Sequence, residues 1–79
     1  MKIQGNTYIQ LKHAIRKTHD EMRNVGVGID ARNSDERIMW DVFHRAGKFG
    51  VYNLYNDDSI NDAHINTALL KIGKELNII

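Results

Sequence analysis
Hydrophobic residues return at helical spacing in three stretches of this 79-residue chain, with polar residues filling the intervals. The clearest stretch is Asn61 to Leu76. At about 100° per residue, Ile65, Ala68, Leu69, Ile72 and Leu76 share an arc of roughly 100°, while Lys71, Lys74 and Glu75 point away. Such a helix needs apolar partners, and two earlier segments have the pattern to supply them. Tyr8, Leu11, Ala14, Ile15, Thr18 and Met22, with Val25 at the end, fall within about 120° of arc. Thr7-Tyr8-Ile9-Gln10 has the form of a capping box, so the first helix is expected to start there and to end near Asn24.

The second helix is expected from about Ser34 to Ala46. Asn33 or Ser34 is placed to cap it, and Glu36 closes a capping box if Asn33 is the cap. Asp35 and Glu36 face the positive end of the helix dipole. Ile38, Met39, Val42, Phe43 and Ala46 make one apolar face, and Gly47 is the expected terminator.

The connections carry their own signals. Val25-Gly26-Val27-Gly28-Ile29 has two glycines that permit positive φ, which suits a helix stop followed by a turn. The aromatic content of Phe49 to Tyr55 suits a short strand and its length suits one helical turn; it is read as irregular or one short turn. Asn56 to Ser59 is a polar turn, after which Ser59 or Asn61 caps the third helix. Met1 to Asn6 is a lead-in arm in which Ile3 allows a brief strand. The expectation is one domain spanning residues 1–79, mainly α, a small three-helix bundle with a possible short β element near Ile3 and at Val51 to Tyr55.

Composition narrows this picture. With no cysteine, neither a disulfide nor a thiolate-bound metal can staple so small a core. No apolar run approaches the roughly 20 residues of a membrane span, and the polar start MKIQGNTY has no signal-peptide core, so a location in a reducing cytoplasm is expected. The net charge of +1 hides an asymmetry. Residues 1–48 carry nine Lys or Arg against six Asp or Glu, whereas residues 49–79 carry two against four. Such polarity suits head-to-tail pairing or docking on a mixed surface, though loose scatter explains it more simply.

No motif points to catalysis. Gly26-Val27-Gly28 has neither the third glycine nor the Lys-Ser/Thr pair of a phosphate loop. His13, His19, His44 and His64 include no i, i+4 pair, so a zinc site has no local support and no cofactor is expected. Asp57, Asp58 and Asp62 cluster before a helix, where acids favour the dipole, and they do not have the spacing of a calcium loop. The chain is read as a non-enzyme.

Two surfaces are candidates for binding. Trp40 falls outside the apolar arc of the second helix, on the side of Arg37 and His44; Trp beside Arg is the composition of a binding hot spot. With Tyr52 and Tyr55 beyond it, this makes a protein-binding face of Arg37, Trp40, His44, Tyr52 and Tyr55. Alternatively, Trp40 covers the core, its ring packed under residues 49–55. The other surface is a stripe of Lys12, Arg16, His19 and Arg23 bordering the first helix's apolar face, which is placed to follow a phosphate backbone. Leu70, Ile78 and Ile79 add apolar residues beyond one core, the usual mark of a partner or a homodimer.

Arg37-x-x-Trp40-Asp41, Leu54-Tyr55 and Asn61-Asp62-x-His64-Ile65-x-Thr67-Ala68-Leu69 together resemble a pattern in short bacteriophage and prophage proteins. The resemblance spans about residues 37–72. It implies a phage accessory protein made in the bacterial host cytoplasm, and it transfers no catalytic residues. Proteins of that setting often bind and block a host protein, CRISPR or other defence machinery included. The expected function is therefore binding and inhibition or modulation of a host protein, with nucleic-acid binding through the first helix as the alternative.

Overall fold
In the computed structural model the described residues are 3–50, 54 and 56–79, with Lys48 and Phe49 described by backbone only. Three α-helices, α1 (Gly5–Asn24), α2 (Asp35–Arg45) and α3 (Asp62–Glu75), carry the fold, with a 3-10 helix at Ala46–Phe49 extending α2. There is no strand among the described residues. Ile3 instead inserts its side chain fully into the core, which makes the lead-in arm part of the packing. Val51, Tyr52, Asn53 and Tyr55 lie outside the described residues, so the rest of the possible β element does too; Leu54 is buried.

The helical arcs become the core. Leu11, Ala14, Ile15, Thr18 and Met22 from α1 are buried with Ile38, Met39, Val42 and Phe43 from α2 and Ile65, Ala68, Leu69 and Ile72 from α3. Val25 departs from its expected place: it is 74% exposed, because the chain has already turned at the end of α1. Leu70, Ile78 and Ile79 are half-buried, and the last two pack against the core.

Helix ends correct the sequence reading in several places. α1 starts at Gly5, and its N-cap, Gln4, makes no side-chain capping bond, so the Thr7–Gln10 box is not formed. The burial of Ile3 fixes the chain just before that helix, and the first turn follows without a hydroxyl cap. At the other end, Gly26 takes φ 78°, Val27 N–H donates to Met22 at 2.8 Å and Gly26 N–H to Arg23 at 3.2 Å. This is a Schellman stop, the role expected of that glycine.

Ser34 caps α2 by accepting from the Arg37 N–H at 3.2 Å, so Asn33 and Glu36 do not form a box. The helix does not stop at Gly47. It tightens into the 3-10 turn and ends at Gly50, whose φ of 82° only glycine adopts without penalty.

Asn61 caps α3, and here a full capping box forms. The Asn61 side chain accepts from the His64 N–H at 3.1 Å, and His64 Nδ1 accepts from the Asn61 N–H at 3.1 Å. Glu or Gln usually fills that third position; the imidazole nitrogen does the same work. Asp57 holds the preceding turn by accepting from the Ser59 N–H and hydroxyl at 2.9 and 2.6 Å. The acidic cluster is therefore turn and first-turn structure, as the dipole argument expects. α3 ends in a second Schellman stop at Asn77, φ 58°, with Ile78 N–H donating to Gly73 at 2.8 Å.

One core group breaks the pattern. Thr18 is 2% exposed, and its hydroxyl has no hydrogen-bond partner. A buried orphan hydroxyl costs about 1–3 kcal/mol, so an apolar side chain of the same shape is preferred there. Thr18→Val is expected to stabilise the fold by about 1 kcal/mol in urea denaturation. A destabilised variant would mean that the hydroxyl is satisfied in solution.

Candidate functional site
Trp40 stands on the flank of α2 that meets α3. Its indole N–H donates to Asn66 Oδ1 at 2.8 Å, linking two helices through residues 26 positions apart. The ring meets Phe43 edge to face, centroids 5.5 Å apart at 86°, and the fully buried Phe43 anchors it to the core. On its outer side the His44 ring lies 5.9 Å away, tilted by 39°. Trp40 is half-buried, Arg37 and His44 are exposed. Part of the indole is thus packed against α3 and Phe43, and the rest is exposed beside His44; the segment under which the ring was expected to pack lies mostly outside the described residues. Tyr52 and Tyr55 lie outside the described residues.

The sequence offered no signal for Asn66 as the partner of Trp40. It belongs to α3, outside the apolar arc, and its pairing with Trp40 follows from the way the buried faces of α2 and α3 meet in one core. Helix periodicity assigns each residue a face of its own helix but not its neighbour on the next.

The stripe on α1 is divided. Lys12 turns toward α3, its ammonium 3.6 Å from Glu75 Oε1, and His19 is half-buried. Arg16 and Arg23 are exposed, with Arg16 Nη2 3.4 Å from His13 Nδ1. Beside Lys12, the Tyr8 phenol donates to Glu75, and Lys71 Nζ stands 5.2 Å from the Tyr8 ring centroid. The stripe therefore supplies two outward cations, while its upper part ties α1 to the end of α3.

Charge in this corner is internally consistent. The Tyr8 hydrogen bond, helped by Lys12 and Lys71, holds the Glu75 carboxyl below its ordinary range. Burial, followed by the bond to Glu75, pushes the Tyr8 phenol up, so it remains a donor. A carboxylate with a lowered folded-state pKa stabilises above its ordinary titration range, and that contribution is lost as pH falls through the lowered value.

Elsewhere the polar groups serve local geometry. Arg32 donates to Asp30 through Nε and Nη2, both at 3.0 Å, and through its backbone N–H, which closes the turn between α1 and α2. Among the described residues no group of three His, Asp or Glu is placed to hold a metal ion. No helix of the described residues is long and apolar enough to cross a membrane.

No known protein family, curated protein or solved structure matches the chain.

Proposed function
We propose that this chain is a small helical interaction protein of the phage accessory kind, which acts in the bacterial cytoplasm by binding a host protein and inhibiting or modulating it. An anti-CRISPR or other anti-defence role is the setting in which such binding acts. The observation that carries the reading is the held position of Trp40. Fixed by Asn66 and Phe43 and flanked by exposed Arg37 and His44, the indole is presented in one orientation. A partner that covers it therefore forfeits little side-chain freedom. Large aromatic area beside a cation, at the edge of a rigid seam, is the composition in which binding energy concentrates.

The test separates this face from the α1 stripe. The double variant Arg37→Glu/His44→Glu is expected to lose at least tenfold of its captured partner from bacterial lysate, a change of about 1.4 kcal/mol in affinity. Its unfolding free energy should fall by only about 1 kcal/mol, from the lost His44 ring contact and an acid in the last turn of α2. Circular dichroism should therefore show it folded. Arg16→Glu/Arg23→Glu should retain the partner, with or without nuclease. Undiminished capture by the first variant, or nuclease-sensitive loss with the second, refutes the reading.

A further inference from the structure
The side chain that completes the α3 capping box belongs to the one residue type whose ordinary charge change lies near neutral pH. In the usual box a Glu or Gln accepts from the N–H of the capping residue; here His64 Nδ1 accepts from the Asn61 N–H at 3.1 Å. A backbone N–H can only donate, so Nδ1 carries no proton and the boxed imidazole is neutral, with its hydrogen on Nε2. An imidazolium has two N–H groups and no lone pair to offer. His64 is half-buried, and among the described residues its side chain has one hydrogen-bond partner, Asn61.

Proton uptake at Nδ1 therefore breaks this half of the box and sets a positive charge against the positive end of the helix dipole. The other half, Asn61 Oδ1 accepting from the His64 N–H at 3.1 Å, remains. Asp62 in the same turn, with Asp57 and Asp58 before it, brings negative charge to this end of α3, which favours the imidazolium; the capping bond and the dipole oppose it. From α1, Tyr8 and Lys12 meet α3 at Glu75, about 16 Å along the helix axis from His64. From α2, Trp40 reaches α3 at Asn66, with Arg37 and His44 on its own helix beside it.

The turn that the box closes is the turn on which Asn66 stands. Its first helical bond runs from the Ile65 N–H to the Asn61 carbonyl at 3.2 Å, and helical spacing gives the Asn66 N–H to the Asp62 carbonyl. Asn66 in turn holds the Trp40 indole N–H at 2.8 Å. We infer that His64 is a proton-operated latch: neutral, it closes the first turn of α3; protonated, it loosens that turn and the grip of Asn66 on Trp40. The latch belongs to the free chain, and its consequence for a partner rests on the function proposed above.

The test follows exchange of the Asn61 amide and Trp40 indole protons with water by NMR, where the chain's one tryptophan gives one indole signal. Rates are compared at about pH 8 and about pH 5.5, on either side of the ordinary histidine range, after correction for the intrinsic pH dependence of exchange. Protection of both protons is expected to fall about threefold at the lower pH, less than the roughly fivefold of losing a whole capping residue. His64→Gln keeps the box with a side chain that takes up no proton, so its protection should be the same at both pH values. His44→Gln should retain the fall, which separates the latch from the histidine beside the indole. Protection of Asn61 that does not fall in the parent, or that falls equally in His64→Gln, overturns the inference. A fall at Asn61 with none at the indole overturns the link to Trp40. None of these outcomes involves a partner, so the proposed function stands or fails separately, on capture.

Discussion

Trp40→Ala is expected to lower the unfolding free energy by about 2–4 kcal/mol. Truncating a fully buried aromatic residue costs about 3–5 kcal/mol, and Trp40 is half-buried, which lowers the figure. The hydrogen bond to Asn66 and the edge-to-face contact with Phe43 raise it again. Trp40→Phe separates the terms: it keeps most of the apolar contact, discards the N–H donor and is expected to cost about 1 kcal/mol. Urea denaturation of both variants gives the comparison. Unchanged stability in Trp40→Ala would leave the indole as surface alone. Because that variant is expected to lose stability, partner binding is better tested at Arg37 and His44, which are exposed.

Gly73→Val is expected to cost about 2–3 kcal/mol, although glycine is a poor helix former. A Cβ at position 73 would stand 2.6 Å from Met39 Sδ and 2.9 Å from Ile79 Cγ1, both inside contact distance. Met39 is fully buried, so its thioether must change rotamer within the core to admit the branched side chain. Removing the glycine gains about 1 kcal/mol in helix propensity, while overpacking a tight core costs about 1–3 kcal/mol, and a branched side chain lies at the upper end. Gly73→Ala is expected to lose less. Adding Ile79→Ala to it should recover the share due to Ile79 but leave the share due to Met39. A Gly73→Val variant as stable as the parent would show that α2 and α3 are less closely packed than described.

Gly73 also shows how far periodicity reads this fold. It lies at the edge of the α3 arc, where a missing side chain leaves room for a neighbouring helix, and Met39 of α2 takes that room. The second neighbour, Ile79, was not legible. It arrives because Asn77 takes the left-handed conformation and turns the following residues back over Gly73. Asparagine adopts that conformation at little cost, but nothing about a lone Asn says that it will.

The same division runs through the chain. All five residues of the α2 apolar face are buried, because three or four turns of strict pattern leave one way to cover them. Helix ends were less readable, since they depend on one or two bonds and competing caps lie close together. Thr7 offered a box that α1 does not use, and α2 ends at Arg45, close to the expected Ala46, but a 3-10 turn carries the chain on through Gly47, whereas His64 completes a box that normally calls for Glu or Gln. At the candidate site, the sequence marked Arg37, Trp40 and His44 by their place on α2. The pairing of Trp40 with Asn66 depends on how two helices settle against each other, which no single helix encodes.

The most direct measurement of the central claim uses the fact that Trp40 is the chain's one tryptophan. Iodide quenching of its fluorescence is compared in the free protein and in complex with the partner it captures. Partial quenching of the free protein is expected, because the ring is half-buried against Phe43 and Asn66, with a clear further fall once the partner covers the remaining edge. Equal quenching in both states, with binding intact, would place the partner elsewhere and contradict that claim.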